Sequence, residues 1–464
     1  MVKFYDSFES NKASSGFHDS LAEPSSTSWL GPNATQSDGL LRTGSTSRHE
    51  HNTVASRVRF RIVAFFITSA TAIASVLYLR NNNRVLRTGS DVGTVVLDTH
   101  LGQIDTLSPS GSHGGRGEFE PVDSHATVHT KKLMASLREI ADSDGVGFGH
   151  HYDNYYGQNF WAPSERYYSD VYNVTGSYPM VFGYDFYQYL NGDDWTSHAK
   201  WAHDHAGGAI TVSWWAENPL NDESAANCHG SPIREILPGG SGNHKWNIWL
   251  EEICVWLNNF TDKKGILIPV VLRLFREPNE NYWWWGKRCA TAEQYQEAFN
   301  YTYDYISSRS HNVLWCYSPC KPSNNEENAF SLWYPGDDMV DIVAIDRYAH
   351  SVGELARDMK EDCRVLVEFT RRRHKIAAFG EFGIYNGIQD IDDMHFFQKT
   401  ITDDLASCMS NLSYVSMWAN YSPQKYWVPV QYEKTAASFL KYSEHEGSIF
   451  ADDSRWKSTP YCNE

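Results

Sequence analysis

Ile268–Phe275 reads IPVVLRLF, an apolar run interrupted by one arginine, and Arg276 and Glu277 follow it directly. A near-continuous apolar run of this length fits a strand buried on both faces, the habit of parallel sheets covered by helices. Seven more such runs punctuate the chain from residue 146 onward: Val146–His150 (VGFGH), Met180–Phe186 (MVFGYDF), Ala209–Trp215 (AITVSWW), Asn312–Ser318 (NVLWCYS), Val340–Tyr348 (VDIVAIDRY), Ile376–Gly383 (IAAFGEFG) and Tyr414–Tyr421 (YVSMWANY). Stretches suited to helices, among them Glu293–Ser307 and Asp392–Ser410, separate them. Eight strand–helix units predict an α/β fold, a (β/α)8 TIM barrel. A doubly wound open sheet is the alternative, but its Gly-rich phosphate-binding turn is missing after the first strand.

Barrels of this kind place their chemistry at the C-terminal ends of the strands. Those ends carry His150, His151, Asp185, Trp214, Trp215, Glu217, Arg276, Glu277, Asp346, Tyr348, Glu381, Trp418 and Asn420. Glu277 and Glu381 follow the fourth and seventh strands, three units of ~30 or more residues apart, so they face one another across the barrel mouth. Glycosidic cleavage needs such a pair, one group to protonate the leaving oxygen and one to attack the anomeric carbon; a gap of ~5–5.5 Å gives retention. The aromatic wall PNENYWWWG after Glu277 assigns it the proton-donor role and leaves attack to Glu381. A lone glutamate after a barrel strand is as readily a salt bridge or a helix cap; the pair beside tryptophan-rich ends is what points to chemistry.

The chain has 464 residues and a formal net charge of −17, with 17 Trp, 27 Tyr and 22 Phe. That acidity excludes nucleic acid as the main partner, since a phosphate-binding face needs a basic patch. No metal constellation, nucleotide loop or Ser-His-Asp order asks for a cofactor. HDH at His203–His205 reads as solvated helix surface.

Residues 1–61 are rich in Ser, Thr, Gly and Asn and read as a disordered cytoplasmic tail. Ile62–Leu79 is apolar and uncharged, bracketed by Arg61 and Arg80, and is expected to be a transmembrane signal anchor. Residues 80–130 read as a flexible stalk and 131–464 as the globular domain. All eight cysteines, and sequons at Asn173, Asn259, Asn300, Asn411 and Asn420, lie after the apolar run. Together with an arginine bias before it, they predict a single-pass type II membrane protein whose enzyme domain is lumenal or extracellular, disulfide-bonded and monomeric.

Over about residues 133–430 the motifs resemble glycoside hydrolase family 26, known for β-mannanases. RLFREPNENYWWWG (Arg273–Gly286) is similar to the family's acid/base segment, and FGEFG (Phe379–Gly383) to its nucleophile segment. FGH at Phe148–His150, GYD at Gly183–Asp185, SWWAENP at Ser213–Pro219, Asp346–Tyr348 and Trp418–Asn420 match in order and strand position. The resemblance implies Glu277 as acid/base and Glu381 as nucleophile, with Tyr348 orienting the nucleophile and Trp418 flooring the sugar at the cleavage point. His150, Asp185, Trp215, Arg276 and Tyr282 are then candidate substrate-binding residues. It also implies a polysaccharide substrate, foremost a β-1,4-mannan cleaved internally. β-1,3-xylan, mixed-linkage β-glucan, an acidic glycan, wall-remodelling transglycosylation and non-catalytic glycan binding are the alternatives. Arg276, Trp215 and Ala419 stand where the family often has His, His and Arg.

Overall fold

Eight parallel strands close on themselves: β1 (Val146–His151), β2 (Val181–Asp185), β3 (Ala209–Ser213), β4 (Val270–Arg273), β5 (Val313–Tyr317), β6 (Ile342–Ala349), β7 (Ile376–Ile384) and β8 (Leu412–Met417). Each pairs with its neighbour in chain order, and β8 returns to β1 with Gly147 opposite Tyr414 and His150 opposite Met417. The computed structural model describes residues 119–463 apart from 162–166, 322–329, 404, 407 and 421. Every one of the eight apolar runs contributes a barrel strand. The last sits two residues earlier than expected, because Leu412 pairs with Ala377 and Ser413 donates to the Ala377 carbonyl (3.2 Å). Ala419 and Asn420 have by then left the sheet.

The layers follow from burial on both strand faces. One core lies between sheet and helices, where α2 (Asn243–Asn259), α3 (Ala292–Ser307) and α4 (Val352–Arg373) bury Trp246, Tyr295 and Phe369. A second core groups Val181, Val271, Leu314 and Ala378 of the strands with Leu133, Met134 and Leu137 of α1 (Val128–Ala141) and with Trp456. Helix starts are set by their caps. Thr291 and Gln294 form a reciprocal capping box at α3, and Ser351 accepts the Glu354 N–H at α4.

Two expectations change. The folded unit begins before residue 131: the Val122 N–H donates to Asp341 Oδ1 (2.7 Å) and Thr127 caps α1. Asp392–Ser410 is not a regular α-helix but a π-helical turn at Phe397–Asp403 and a 3-10 turn at Met409–Asn411. Adjacent Phe396 and Phe397 are both fully buried there, a pattern no single amphipathic stripe provides. Four of the eight cysteines pair, as Cys228–Cys289 and Cys363–Cys408, while Cys254, Cys316, Cys320 and Cys462 do not. No helix among the described residues is long and apolar enough to cross a membrane. The expected span at 62–79, the tail before it and the stalk up to residue 118 lie outside the described residues.

Candidate active site

Two local backbone features aim the carboxylates. After β4 the chain turns through Phe275 (φ 49°) and Glu277 (φ 55°), both in the left-handed region, and the Glu277 N–H donates to the Ser318 carbonyl (2.6 Å). Such backbone is costly for residues with side chains and clusters at functional sites. On β7 the register slips by one residue: Ile345 lies opposite Phe379, but Asp346 lies opposite Glu381. Gly380 is the extra residue of this bulge, and a bulge re-aims the side chain beside it. Only glycine fits there, because a Cβ would meet Asp346 Oδ1 at 2.8 Å and the Arg273 guanidinium carbon at 3.0 Å.

The barrel mouth then assembles around Glu381. Its Oε1 accepts from Arg273 Nη2 (3.1 Å) and Arg276 Nη1 (3.0 Å), and its Oε2 accepts the Tyr348 hydroxyl (3.0 Å). Arg273 is locked in turn, with Nη2 2.7 Å from both Asp346 oxygens and Nε donating to Ser318 Oγ (3.0 Å). Glu277 Oε2 accepts from Trp283 Nε1 (3.0 Å) and lies 3.3 Å from Arg276 Nη1. The wall after Glu277 therefore offers an indole donor, and a cation stands beside it, where the sequence suggested apolar contact alone.

One Arg276 nitrogen thus touches both glutamates. The gap between Glu277 Oε2 and Glu381 Oε1 cannot exceed the sum of its 3.3 and 3.0 Å contacts. That bound accommodates the ~5–5.5 Å of a retaining pair. The Arg276 guanidinium also lies 4.7 Å from the Trp215 ring centre, 5.3 Å from Trp283 and 5.5 Å from Trp418. Trp215 and Trp418 stack with centroids 5.6 Å apart at 18°.

Electrostatics follow from burial. Burial acts to lower the Arg276 pKa, but the carboxylates of Glu381, Glu277 and Asp346 outweigh it and leave the value raised. Burial pushes the Asp346 carboxyl well up, with Arg273 opposing and Glu381 and Glu277 adding to the rise. Burial, then the Arg273 charge, drives the His151 imidazole well below its ordinary range.

Of the expected residues, Glu277, Glu381, Arg276, Tyr348, Trp215 and Trp418 converge. Half-buried Tyr282 packs edge-on at 6.3 Å against Trp283, next to the pair. His150 does not join them. It is fully buried with Nδ1 2.8 Å from Asp153, and alternation along β1 turns its neighbour His151 inward instead. His151 Nε2 meets the Gly380 carbonyl (3.1 Å), and its ring lies 4.8 Å from that of Trp418. Asp185 accepts the Ser213 hydroxyl (2.6 Å) and the N–H groups of Trp215 (3.0 Å) and Tyr187 (2.8 Å), contacts that tie the end of β2 to the end of β3. Trp284 and Trp285 are structural, donating to the Ala216 and Arg276 carbonyls. Sequence reasoning passed over Arg273 as a site residue, although a charge inside an apolar strand was the signal.

Buried facing carboxylates and indole walls at the C-terminal mouth of a (β/α)8 barrel are the arrangement that glycoside hydrolases use. The sequence model of glycosyl hydrolase family 26 matches residues 122–429, and the chain belongs to that family. It is 28% identical over 354 residues to a mannan endo-1,4-beta-mannosidase of Bifidobacterium adolescentis, covering 69% of this chain and 34% of that protein. The chain thus spans about a third of that relative's length. Among solved structures, it is similar to a modular endo-beta-1,4-mannanase from Cellulomonas fimi (TM-score 0.68, 26% identity, 75% of this chain and 80% of that one). A family 26 beta-mannanase from Bacteroides ovatus is also similar (TM-score 0.65, 28% identity, 71% and 96%).

Proposed function

We propose that this protein is a retaining, endo-acting hydrolase of β-1,4-mannan. The observation that carries the reading is the single Arg276 nitrogen shared by Glu277 and Glu381, which holds the two carboxylates close enough for a retaining pair. Glu381, oriented by Tyr348, Arg273 and Arg276, attacks the anomeric carbon while Glu277 protonates the departing oxygen. Water activated by Glu277 then opens the glycosyl-enzyme, and two inversions give net retention. The likeness to named mannanases supports mannan as the substrate. An acidic glycan is less well supported, because Arg276, the cation that suggested it, is already faced by three carboxylates.

The compartment is part of the same proposal: a type II anchor at 62–79 with the enzyme in the lumen or outside the cell. Two disulfides and four exposed sequon asparagines, Asn173, Asn259, Asn300 and Asn411, support it. Asn420 does not. It is fully buried, donates to Asp170 Oδ2 and the Val428 carbonyl, and accepts from the N–H groups of Trp427 and Val428.

The test is incubation of the purified chain with a polysaccharide panel, anomeric products being followed by NMR. Manno-oligosaccharides released first as the β-anomer are expected. Release as the α-anomer, or cleavage of another polysaccharide with mannan untouched, overturns the reading.

A further inference from the structure

Far from the active site, at the N-terminal end of the barrel, Asp123, His125 and His311 come together. Asp123 and His125 precede α1, and His311 immediately precedes β5, so the trio joins the chain's entry into the fold to the base of the barrel. Among the described residues it is the only such group of three His, Cys, Asp or Glu side chains, with one donor atom from each all within 4.8 Å of one another. Sequence reading expected no metal site, and 186 residues separate His125 from His311.

The spacing suits a first-row divalent ion. His311 Nδ1 lies 2.8 Å from Asp123 Oδ2, and His125 Nδ1 lies 3.8 Å from Asp123 Oδ1. Around a tetrahedral zinc with bonds of ~2.0–2.1 Å, adjacent ligand atoms stand about 3.3 Å apart. Taken one donor atom per residue, the set lies within 4.8 Å, and an ion would draw it in towards that spacing. The backbone is already fixed. The Asp123 carbonyl accepts the Ala126 N–H (3.0 Å), Asp123 Oδ1 accepts the His125 N–H (2.8 Å), and the His311 carbonyl accepts from the Thr127 N–H (2.9 Å) and Thr130 Oγ1 (3.2 Å). Exposure grades outward, from 6% at the Asp123 side chain through 36% at His311 to 77% at His125, so an ion would sit at the rim with water at its fourth position.

We infer that Asp123, His125 and His311 form a zinc site that staples the entering chain to the base of the barrel. Two imidazoles and one carboxylate select zinc over calcium or magnesium, whose preference is for oxygen alone. The role is structural, because the active site lies at the opposite end of the strands. The inference stands whatever the enzyme cleaves.

The experiment titrates zinc ion into the untagged, chelator-stripped full chain by calorimetry, alongside H125A and H125C. One equivalent is expected, weakened at least tenfold in H125A and retained in H125C, which keeps a zinc ligand in place. Zinc should also raise the melting temperature of the wild type and leave that of H125A unchanged. The exposure of His125 makes both variants foldable. Absence of zinc binding by the wild type, or equal affinity in H125A, overturns the inference.

Discussion

Arg276 Nη1 lies 3.0 Å from Glu381 Oε1, and both side chains are almost fully buried. The family often has histidine where this chain has Arg276. Arginine brings a permanent charge with planar donors, which stacks on aromatic faces and serves several acceptors at once. Here it serves Glu381, Glu277 and Asp346 while lying among Trp215, Trp283 and Trp418.

Removing that charge should be more damaging than replacing it with the family's residue. Breaking a buried ion pair by deleting one partner costs about 3–5 kcal/mol. Arg276→Met should therefore lower the melting temperature and reduce kcat/KM on mannan by about two orders of magnitude or more. Arg276→His should keep turnover within about tenfold of wild type, since its imidazole remains a donor in reach of Glu381. Full activity in Arg276→Met would show that the bridge is dispensable.

Glu381 and Glu277 should separate by substrate. Glu381→Ala removes the attacking atom, and no substrate should escape the loss. Glu277→Ala removes proton transfer, a contribution of roughly 10²–10⁴-fold, on polysaccharide. An aryl glycoside with a good leaving group does not need that proton, so its glycosylation step should be spared. Steady-state and burst kinetics on both substrates check this; equal losses on both would reverse or dissolve the assignment.

Much of the barrel was legible because strands buried on both faces write themselves as apolar runs, and Glu277 follows β4 by four residues while Glu381 lies in the C-terminal half of β7. Facing direction was not legible. His150 and His151 are both buried, and only the phase of the pleat decides which looks inward. Gly380 carried a readable hint, since glycine inside a strand often marks a bulge, yet the one-residue slip that aims Glu381 needs the pairing partner to be seen. The roles of Arg273 and Asp185 depend on contacts across 73 and 28 residues, which no local pattern encodes.

Disulfide chemistry offers an independent check. Cys228–Cys289 closes 61 residues and Cys363–Cys408 closes 45. Loops of that size imply about 4 kcal/mol each in the chain-entropy treatment. Thiol titration in denaturant should find four reactive groups before reduction and eight after it, with a lower melting temperature for the reduced protein. Eight thiols in the unreduced protein from an oxidising host would remove both links.

Glycan mapping should divide the sequons by burial. Asn173, Asn259, Asn300 and Asn411 are exposed, whereas Asn420 uses its whole amide to tie Asp170 to the segment at Trp427 and Val428. A glycan on Asn420 would replace one of its two N–H donors and leave a buried acceptor unpaired at about 1–3 kcal/mol, besides forcing the sugar into a packed interior. Peptide mapping of protein made in a secretory host should find sugar at some or all of the first four. An occupied Asn420 in active protein would contradict the packing described.

Asp341 gives stability a pH dependence whose sign can be stated. Burial pushes its carboxyl up to about 6, against the opposing bonds from the N–H groups of Trp315 and Val122. The ordinary carboxylate value is ~3.9, so between about 4 and 6 the folded chain holds a proton that the unfolded chain releases. This group's contribution is therefore fully present below that window and is lost as pH rises through it. Asp341→Asn removes the titration and weakens one of two backbone contacts, costing about 1–3 kcal/mol. The gap in melting temperature between wild type and Asp341→Asn should accordingly be widest near pH 4 and narrow towards pH 7. Calorimetric scans across that range decide it: a constant gap would mean that Asp341 titrates alike in both states, and a gap widening with pH would mean that its carboxylate is stabilised rather than strained by the fold.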